Sequence, residues 1–534
     1  MSDITSKLRQ FIEKFQGNNV SLYLILVNVL LLFFAIIFFA VGLLPFKNTG
    51  DFIFFAVLAF LFALYRPGWA FLFFIGAIAL ENINVAPIVL GISIRPYQLF
   101  GALTIFAFSY LFLKKKIGFS LPKFIWIDWM IFAFVVFSFL SSFSSNHRGA
   151  SLKHSIILAS FAVFYFLIRI YVQSFSDAKK IFPFFLSSSL VVMLYAIWQN
   201  IRFEKGLFSF EVMAGRPNAT FTEADWLGMY LTLVIAVIYA TIFYITKKYS
   251  EGRMFLAVSY LFLVLAYVAL IITVSRSAWI GVAFITLVFL KIALTDGAWN
   301  FSVWQWKIFF KHLGLIVLAL GLSLVIVYMF NLTRFGFLNR IQSATGLQKI
   351  TVACQNSQNT PPEIIQNIEE LSQYGCEHID LEEIDEKERE GKIIREISRP
   401  DPNVNIRQEI YKKSLQTIKN NPVLGIGWGS IPVVLGEDEK GTAFNSSNIF
   451  LEVWLGSGIF GLLAFISVFG YIFVVSVKNI LGNNGENKIA ATFALLGFFA
   501  IIIPNLFNSG LFLGVFWLYL GISIALLSDL NKKK

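Results

Sequence analysis

Residues 21–42 read SLYLILVNVLLLFFAIIFFAVG and contain no charged side chain. A helix needs about twenty apolar residues to cross the hydrocarbon core of a bilayer, and this stretch meets that requirement. It follows the polar segment 1–20, and no cleavage-site pattern comes after it. We therefore interpret it as a retained transmembrane helix and not as a signal peptide.

Apolar runs of this kind recur along the whole chain of 534 residues. The long ones lie at 21–42, 97–113, 124–143, 154–171, 181–201, 227–246, 254–273, 308–330, 449–477, 488–504 and 509–528. Shorter or closely spaced candidates occupy 51–65, 68–90 and 277–291. The sequence thus predicts an all-α polytopic transmembrane bundle of about 12–14 helices.

The composition agrees with a membrane protein. Hydrophobic residues make up 57% of the chain and charged residues only 14%, whereas soluble domains carry about 45–50% and about 25%. The net charge of +11 does not indicate nucleic-acid binding, because no soluble basic domain is present to carry it. Membrane lipids are the expected surroundings.

The basic residues predict the orientation. If the N-terminus is cytoplasmic, the cytoplasmic loops hold 21 lysines and arginines and the short outward loops hold 8. Cytoplasmic loops of membrane proteins carry an excess of such residues. Both termini are therefore predicted to lie in the cytoplasm, and the long loop near 331–448 is predicted to face outward from the cytoplasmic membrane.

These observations divide the chain into five regions. The predicted organisation is a cytoplasmic segment at 1–20, transmembrane helices 1–11 at 21–330, an extracytoplasmic loop domain with short helices at 331–448, helices 12–14 at 449–528 and a basic cytoplasmic tail at 529–534.

The first part of the loop, 341–400, is acidic and polar and is predicted to be an accessory insertion. Pro361 and Pro362 suit the first turn of a short helix that would extend to Gln373, and we expect a small helical hairpin here. Cys354 and Cys376 are the only cysteines. In an oxidising space they form a disulfide or remain two unrelated thiols. No zinc-type spacing accompanies them, and no metal site is expected.

The second part, 401–448, begins with an amphipathic helix in NIRQEIYKKSLQTIKNNP, with Ile406, Ile410, Leu415 and Ile418 as its apolar face. Pro422 ends it. The following VLGIGWGS contains three glycines that suit a tight turn or a close backbone approach. It is not a nucleotide-binding loop, because no strand–helix unit surrounds it.

Three arginines lie on the predicted outer side: Arg216 in AGRPNATFTEADW, Arg276 in TVSRSAWIG and Arg407 on the amphipathic helix. Arginine at a membrane boundary is costly unless it is paired or functional, and its planar fork matches phosphate oxygens. A lone arginine could simply reach toward lipid headgroups. Three on one side favour an anionic substrate.

The order of these motifs is distinctive. It consists of an outward Ser-Arg between two helices, a long loop, an arginine that begins an amphipathic helix, Pro-x-x-Gly-x-Gly, Asn-x-x-Leu-Glu and Gly-x-x-Gly. This order resembles the O-antigen ligase and polymerase superfamily of bacterial envelope glycan assembly, over residues of about 210–470.

The resemblance implies transfer of a glycan from an undecaprenyl-diphosphate carrier to a hydroxyl of a glycan, lipid or protein acceptor, without metal, nucleotide or other cofactor. By position, Arg276 and Arg407 match the family arginines implicated in holding the diphosphate, and Arg216 is a further candidate. Ser447 and Asn448 stand where the ligases carry a His-Asn pair, and the four histidines of the chain lie elsewhere.

Three carboxylates, Glu223, Asp225 and Glu452, could accept the proton of a sugar hydroxyl in place of that histidine. Carboxylates in such positions are more often N-caps, interface anchors or salt-bridge partners. Asn448 could orient a sugar hydroxyl or cap the helix that follows it.

The sequence therefore predicts a membrane glycosyltransferase of cell-surface polysaccharide biosynthesis, with Arg276, Arg407, Ser447 and Asn448 as candidate catalytic residues. The alternatives are a transporter or flippase of lipid-linked saccharides and a catalytically inactive envelope scaffold. A transporter is expected to place ionisable residues along a midplane pathway, but the mid-span regions are almost free of charge.

Overall fold

The computed structural model describes residues 21–213, 215–248, 253–297, 301–335, 347–355, 360–366, 368–379, 384–400, 402–437, 443–482 and 485–532. The predicted segment 1–20 and residues 533–534 of the predicted tail lie outside this range.

Helices dominate the described residues. Eleven of them are long and apolar enough to cross a membrane. They are α1 (Ser21–Ala40), α4 (Pro96–Leu113), α5 (Trp126–Ser144), α6 (Arg148–Tyr171), α7 (Phe175–Glu204), α8 (Ala224–Lys248), α9 (Arg253–Ile272), α10 (Arg276–Thr295), α11 (Trp306–Met329), α15 (Ile449–Gly482) and α16 (Glu486–Asn505).

Three shorter apolar helices complete the set: α2 (Thr49–Tyr65), α3 (Pro67–Ala77) and α17 (Gly514–Lys532). One described helix corresponds to each of the fourteen apolar runs in the sequence. The predicted all-α polytopic class is confirmed, and the chain is a multi-pass membrane protein. The weak candidate at 277–291 is a full helix, whereas the run at 509–528 begins its helix only at Gly514.

The helix predicted at 68–90 is too long. It ends at Ala77, and a short 3-10 helix at Ile88–Leu90 interrupts the irregular loop that follows. The side chain of Asn84 stabilises this loop, because its Oδ1 accepts hydrogen bonds from the backbone N–H groups of Ala86 and Ile94. An asparagine that bonds the backbone in this way competes with helix formation.

The expectation of a helical hairpin in 341–400 is wrong. Strands β1 (Leu347–Cys354), β2 (Cys376–Ile379) and β3 (Ile393–Pro400) form an antiparallel sheet in the order β2-β1-β3. The helix expected from Pro361 to Gln373 is a 3-10 helix at Ile368–Tyr374 instead. Helix α12 (Ile384–Arg389) connects β2 to β3.

The alternation of apolar residues in β1 accounts for the sheet. Ile350, Val352 and Cys354 recur with the period of two that places side chains on one face of a strand, and all three are buried. They pack with Ile365, Leu371, Cys376 and Ile397 in a small core separate from that of the bundle. Cys354 lies directly opposite Cys376 in the β1–β2 register and forms a disulfide with it.

Helix α15 is broken near its start. Gly458 has φ +69°, so the helix is interrupted between a short first part and a long second part. The segment after α13 (Pro402–Asn420) fills the break. The N–H of Ile459 donates to the Pro422 carbonyl at 3.1 Å, and the N–H of Ile426 donates to the Leu455 carbonyl at 2.8 Å. The expected close backbone approach of the glycine-rich segment is therefore an approach to α15.

A buried seam of serines holds the same segment against α5 and α6. The indole N–H of Trp428 donates to Ser138 Oγ at 2.6 Å, and the backbone N–H of Gly429 donates to Ser151 Oγ at 3.1 Å. The hydroxyls of Ser145 and Ser430 lie 2.7 Å apart. Helix α14 (Ile431–Leu435) follows directly.

We predict that Gly458→Ala destabilises the protein. An added Cβ would collide with the Val423 carbonyl, and the left-handed backbone already disfavours any other residue. The expected loss is about 1–3 kcal/mol, seen as a lower melting temperature of the purified protein in detergent. Gly470→Ala in the same helix is the control, because a Cβ added there would meet nothing within 4 Å. Equal melting temperatures of the two variants would contradict this interlock between α15 and the glycine-rich segment.

Candidate functional site

Arg216 lies in the loop before α8. Its NH2 is 3.1 Å from Asp225 Oδ1, and its Nε donates to the carbonyl of Thr273 at 3.1 Å. The side chain of Arg216 is 14% exposed and that of Asp225 is 35% exposed. The structure thus pairs two of the sequence-predicted site residues and attaches them to the turn between α9 and α10.

That turn carries Arg276, which is half-buried at the first position of α10. Val274, two residues earlier, is buried with φ +53°. A β-branched residue rarely adopts the left-handed region, so this turn is strained. Helix α8 packs closely against it, since a Cβ on Gly228 would meet Ser275 Oγ at 3.0 Å.

Glu223 precedes α8, and its carbonyl accepts the first hydrogen bond of the helix from Leu227. Its carboxylate points to the loop between α16 and α17, where Asn508 Nδ2 lies 3.3 Å from Oε2. Asn508 Oδ1 in turn accepts a hydrogen bond from Asn445 Nδ2 at 2.9 Å. Two amides therefore connect Glu223 to the loop that contains Ser447 and Asn448.

Asn448 caps α15. Its Oδ1 accepts hydrogen bonds from the N–H groups of Phe450 and Leu451 at 2.9 and 3.3 Å, which is the usual role of asparagine at an N-cap. Its Nδ2 lies 3.4 Å from the Leu506 carbonyl. Glu452, one turn later, is buried and accepts a hydrogen bond from Ser446 Oγ at 3.1 Å.

Arg407 lies on α13, near its N-terminal end. The buried residues of α13 are Ile410, Ser414 and Ile418, whereas Ile406 and Leu415 are exposed. The predicted apolar face is therefore rotated. At 3.6 residues per turn, Arg407 falls in the middle of the face that is actually buried. The half-buried Arg407 has no ion-pair partner among the described residues.

Tyr411 anchors this helix one turn after Arg407. Its hydroxyl lies 3.3 Å from the Ser447 carbonyl and 3.4 Å from the Leu506 carbonyl. Residues four apart share a helix face, so Arg407 and Tyr411 face the same loops. Ser447 has φ +51°, a left-handed conformation that turns the chain into α15.

These hydrogen bonds therefore connect the segments that carry the predicted arginines and carboxylates. Arg276 is connected only through its turn, where the Thr273 carbonyl accepts from Arg216. We call these residues the loop-end cluster: Arg216, Glu223, Asp225, Arg276, Arg407, Tyr411, Asn445, Ser447, Asn448 and Asn508. Tyr411, Asn445 and Asn508 were not predicted from the sequence. A polar pair of asparagines in the short stretch PNLFNSG, between two apolar runs, is the signal that could have indicated Asn508.

Burial raises the pKa of the Glu223 carboxyl above its ordinary value, and the Asp225 carboxylate raises it further, while Asn508 and Arg216 lower it. The side chain of Glu211 behaves similarly. Burial raises the pKa of Glu211 to about 7, although the N–H of Gly215 donates to its Oε2 at 2.9 Å and favours the ionised form.

Two of the histidines contact residues other than Ser447 and Asn448. His312 bonds the Tyr260 hydroxyl between α9 and α11, and His154 packs its ring against Phe512. Across the described ranges, the structure has no group of three or more His, Cys, Asp or Glu side chains suited to a metal ion.

We predict that Glu211→Gln weakens the dependence of stability on pH. The folded carboxyl binds its proton up to about pH 7, whereas an unfolded glutamate loses it near pH 4.5. Its contribution to stability is therefore fully present below pH 4.5 and is lost as the pH rises through 7. Melting curves should show a smaller fall between pH 5 and pH 8 in Glu211→Gln than in the wild type.

The control for that measurement is Glu437→Gln, because Glu437 is an exposed carboxyl of the large loop. Its melting temperature should follow the wild-type pH dependence. Parallel curves for Glu211→Gln and the wild type would show that Glu211 titrates as an ordinary surface group.

Comparison with known protein families gives one match. The family model described as O-antigen ligase matches residues 261–466, a range that includes Arg276, Arg407, Ser447, Asn448 and Glu452 but not Arg216 or Glu223. A search of curated proteins finds no significant match. Over residues 261–466, the chain is similar to the O-antigen ligase family.

Proposed function

We propose that this protein is an O-antigen ligase-like glycosyltransferase that moves a glycan from undecaprenyl-diphosphate to a hydroxyl group of a glycan, lipid or protein acceptor. The family match supports a role of this kind in glycan biosynthesis. The observation that carries the proposal is the loop-end cluster, because its hydrogen bonds gather three arginine-bearing segments and one half-buried carboxylate at one end of a membrane bundle.

The arginines supply the electrostatic part of the reaction. The leaving group is a lipid diphosphate, which gains negative charge as its bond to the sugar breaks, and fixed guanidinium groups stabilise that charge. Arg407 is the strongest candidate, since it is half-buried and has no ion-pair partner among the described residues. Arg276 lies on the strained turn, and Arg216 divides its donors between Asp225 and Thr273.

Glu223 is the best placed of the three candidate carboxylates. Asp225 is engaged with Arg216, and Glu452 is buried beneath Ser446. In the proposed step, the acceptor hydroxyl oxygen attacks the anomeric carbon and its proton passes to the Glu223 carboxylate. The bond from the anomeric carbon to the diphosphate oxygen breaks, and undecaprenyl diphosphate leaves with the electron pair.

We propose that the reaction takes place on the outer side of the cytoplasmic membrane, with both termini in the cytoplasm. The excess of lysine and arginine in the opposite loops supports this orientation. The disulfide of the insertion agrees with an oxidising compartment.

Transfer activity of the purified protein tests the proposal. With lipid-linked glycan extracted from the native membranes and a matching acceptor, we expect Arg407→Ala and Arg276→Ala each to lower the rate by about 10²–10³-fold, the usual effect of removing one charge-stabilising donor. Glu223→Gln should lower it similarly, because a carboxamide cannot accept the proton.

Lys413→Ala is the matched control for Arg407. Lys413 lies on the same helix but pairs with Glu409 on the exposed side, so its loss should leave the rate unchanged. Wild-type turnover in the double variant Arg276→Ala/Arg407→Ala would refute the arginine site. Wild-type turnover in Glu223→Gln would refute only the assignment of the proton acceptor.

A further inference from the structure

Two asparagine amides lie in series between the backbone of Ser447 and the carboxylate of Glu223. The N–H of Ser447 donates to Asn445 Oδ1 at 2.8 Å. Asn445 Nδ2 donates to Asn508 Oδ1 at 2.9 Å, and Asn508 Nδ2 donates to Glu223 Oε2 at 3.3 Å. The series joins three segments that are far apart in the sequence.

The direction of every bond in this series is determined at its two ends. A backbone N–H can only donate, so the Asn445 oxygen must face Ser447 and its NH₂ group must face Asn508. Asn508 must then accept with its oxygen and donate with its NH₂ group. The acceptor at the far end is a carboxylate, which in its ionised form can only accept. The amide of Asn508 thus has one orientation that satisfies all its neighbours.

The loop that carries Asn508 is held firmly on both sides. Asn505 Oδ1 accepts the N–H of Gly510 at 2.6 Å, and Asn505 Nδ2 donates to the Ile501 carbonyl at 2.7 Å. At the end of the loop, the N–H of Gly514 donates to Glu81 Oε1 at 2.5 Å. Glu81 is itself buried and paired with Arg95. Asn508 therefore lies in a loop whose backbone is fixed by hydrogen bonds on both sides.

We propose that Asn508 is a positioning residue that keeps the carboxylate of Glu223 ionised and aimed at the acceptor hydroxyl, with Asn445 setting the orientation of its amide. This inference rests on the proposed function, in which Glu223 receives the proton. Asn508 lies outside the matched range 261–466, as does Glu223, so both would be features of this chain that the family model does not describe.

The surroundings of Glu223 make the donated hydrogen bond important. Its carboxylate lies close to the like charge of Asp225 and to the opposite charge of Arg216. Further charged groups on the connected segments are Arg276 at the start of α10, Glu452, which accepts from Ser446, and the Glu81–Arg95 pair, which accepts from Gly514. A hydrogen bond to the ionised form lowers a carboxyl pKa, so its removal favours the protonated form that cannot accept a proton.

The experiment measures the pH titration of the Glu223 carboxyl directly, in the absence of substrate. Infrared difference spectra of the full-length protein in lipid nanodiscs, recorded across pH, report the carboxylate band, and Glu223→Gln identifies it. Asn508→Leu removes the donor without adding charge. We expect the titration midpoint of Glu223 to rise by about one pH unit, which is a tenfold change in proton affinity.

Asn445→Asp provides an independent second variant. Its carboxylate would still accept from the N–H of Ser447, but it would draw the NH₂ group of Asn508 toward itself and turn the Asn508 oxygen toward Glu223. The same upward shift is expected, although the amide of Asn508 is retained. Asn331→Asp is the charge control, because Asn331 is exposed just after α11, in the chain that leads to the large loop, and it should not move the midpoint.

An unchanged midpoint in folded Asn508→Leu and Asn445→Asp would overturn the inference. The two proposals fail separately in a parallel assay of transfer. Wild-type activity in Glu223→Gln would show that Glu223 takes no part in the reaction. If Glu223→Gln is inactive but the pH dependence of the Asn508→Leu rate is unshifted, only the role of Asn508 is refuted. An upward shift in both the spectra and the acid limb of the rate profile supports the inference.

Discussion

The interlock between the broken helix α15 and the glycine-rich segment is the constraint on which the loop end depends. Backbone polar groups inside a membrane protein must find partners within the protein, because the hydrocarbon offers none. The break at Gly458 frees such groups, and the Pro422 and Val423 carbonyls accept the N–H of Ile459. Glycine at both contact points lets the two backbones approach this closely.

This interlock also sets the position of the candidate site. The serine seam fixes the glycine-rich segment to α5 and α6, and the same segment continues directly from α13, which carries Arg407. At its other end, the first part of α15 begins at the cap formed by Asn448. The family-matched range is thus oriented by helices that lie outside it, including the N-terminal helices that carry Ser138 and Ser151.

Much of the fold could be predicted from the sequence, because an apolar run long enough to span a bilayer has few alternatives to a helix. The errors came from local chemistry that hydrophobicity does not reveal. Asn84 bonds the backbone of an irregular loop where the sequence predicted more helix, and in β1 the alternation of Ile350 and Val352 forms a strand where a helical hairpin was expected. The charged residues of the insertion correctly indicate a solvated surface, but they contain no information about its small apolar core.

The site could be predicted only where short motifs carry it. Arg276 and Arg407 follow from motif order, but the partners of Glu223 do not. Asn508 lies 285 residues from Glu223 and 63 from Asn445 along the chain, so no local pattern could have connected them. Similarly, the rotation of α13 that leaves Arg407 half-buried depends on which face meets α15, and the apolar residues alone predicted a face with Ile406 and Leu415, which the structure exposes.

The charged groups of the bundle are of two kinds, those that pair with each other inside the protein and those at the loop end that have few partners. Asp128 accepts the hydroxyl of Tyr165 at 2.5 Å and the guanidinium of Arg169 at 3.2 Å, and Arg169 also donates to Ser528 at 2.8 Å. Such a buried pair has its charge compensated by the protein and ties α5, α6 and α17 together. At the loop end, the carboxylate of Glu223 accepts one hydrogen bond from the described residues, and Arg407 has no ionic partner among them. A half-buried charge with so few partners among the described residues is completed by a ligand or by solvent. A diphosphate and a sugar hydroxyl would complete these two.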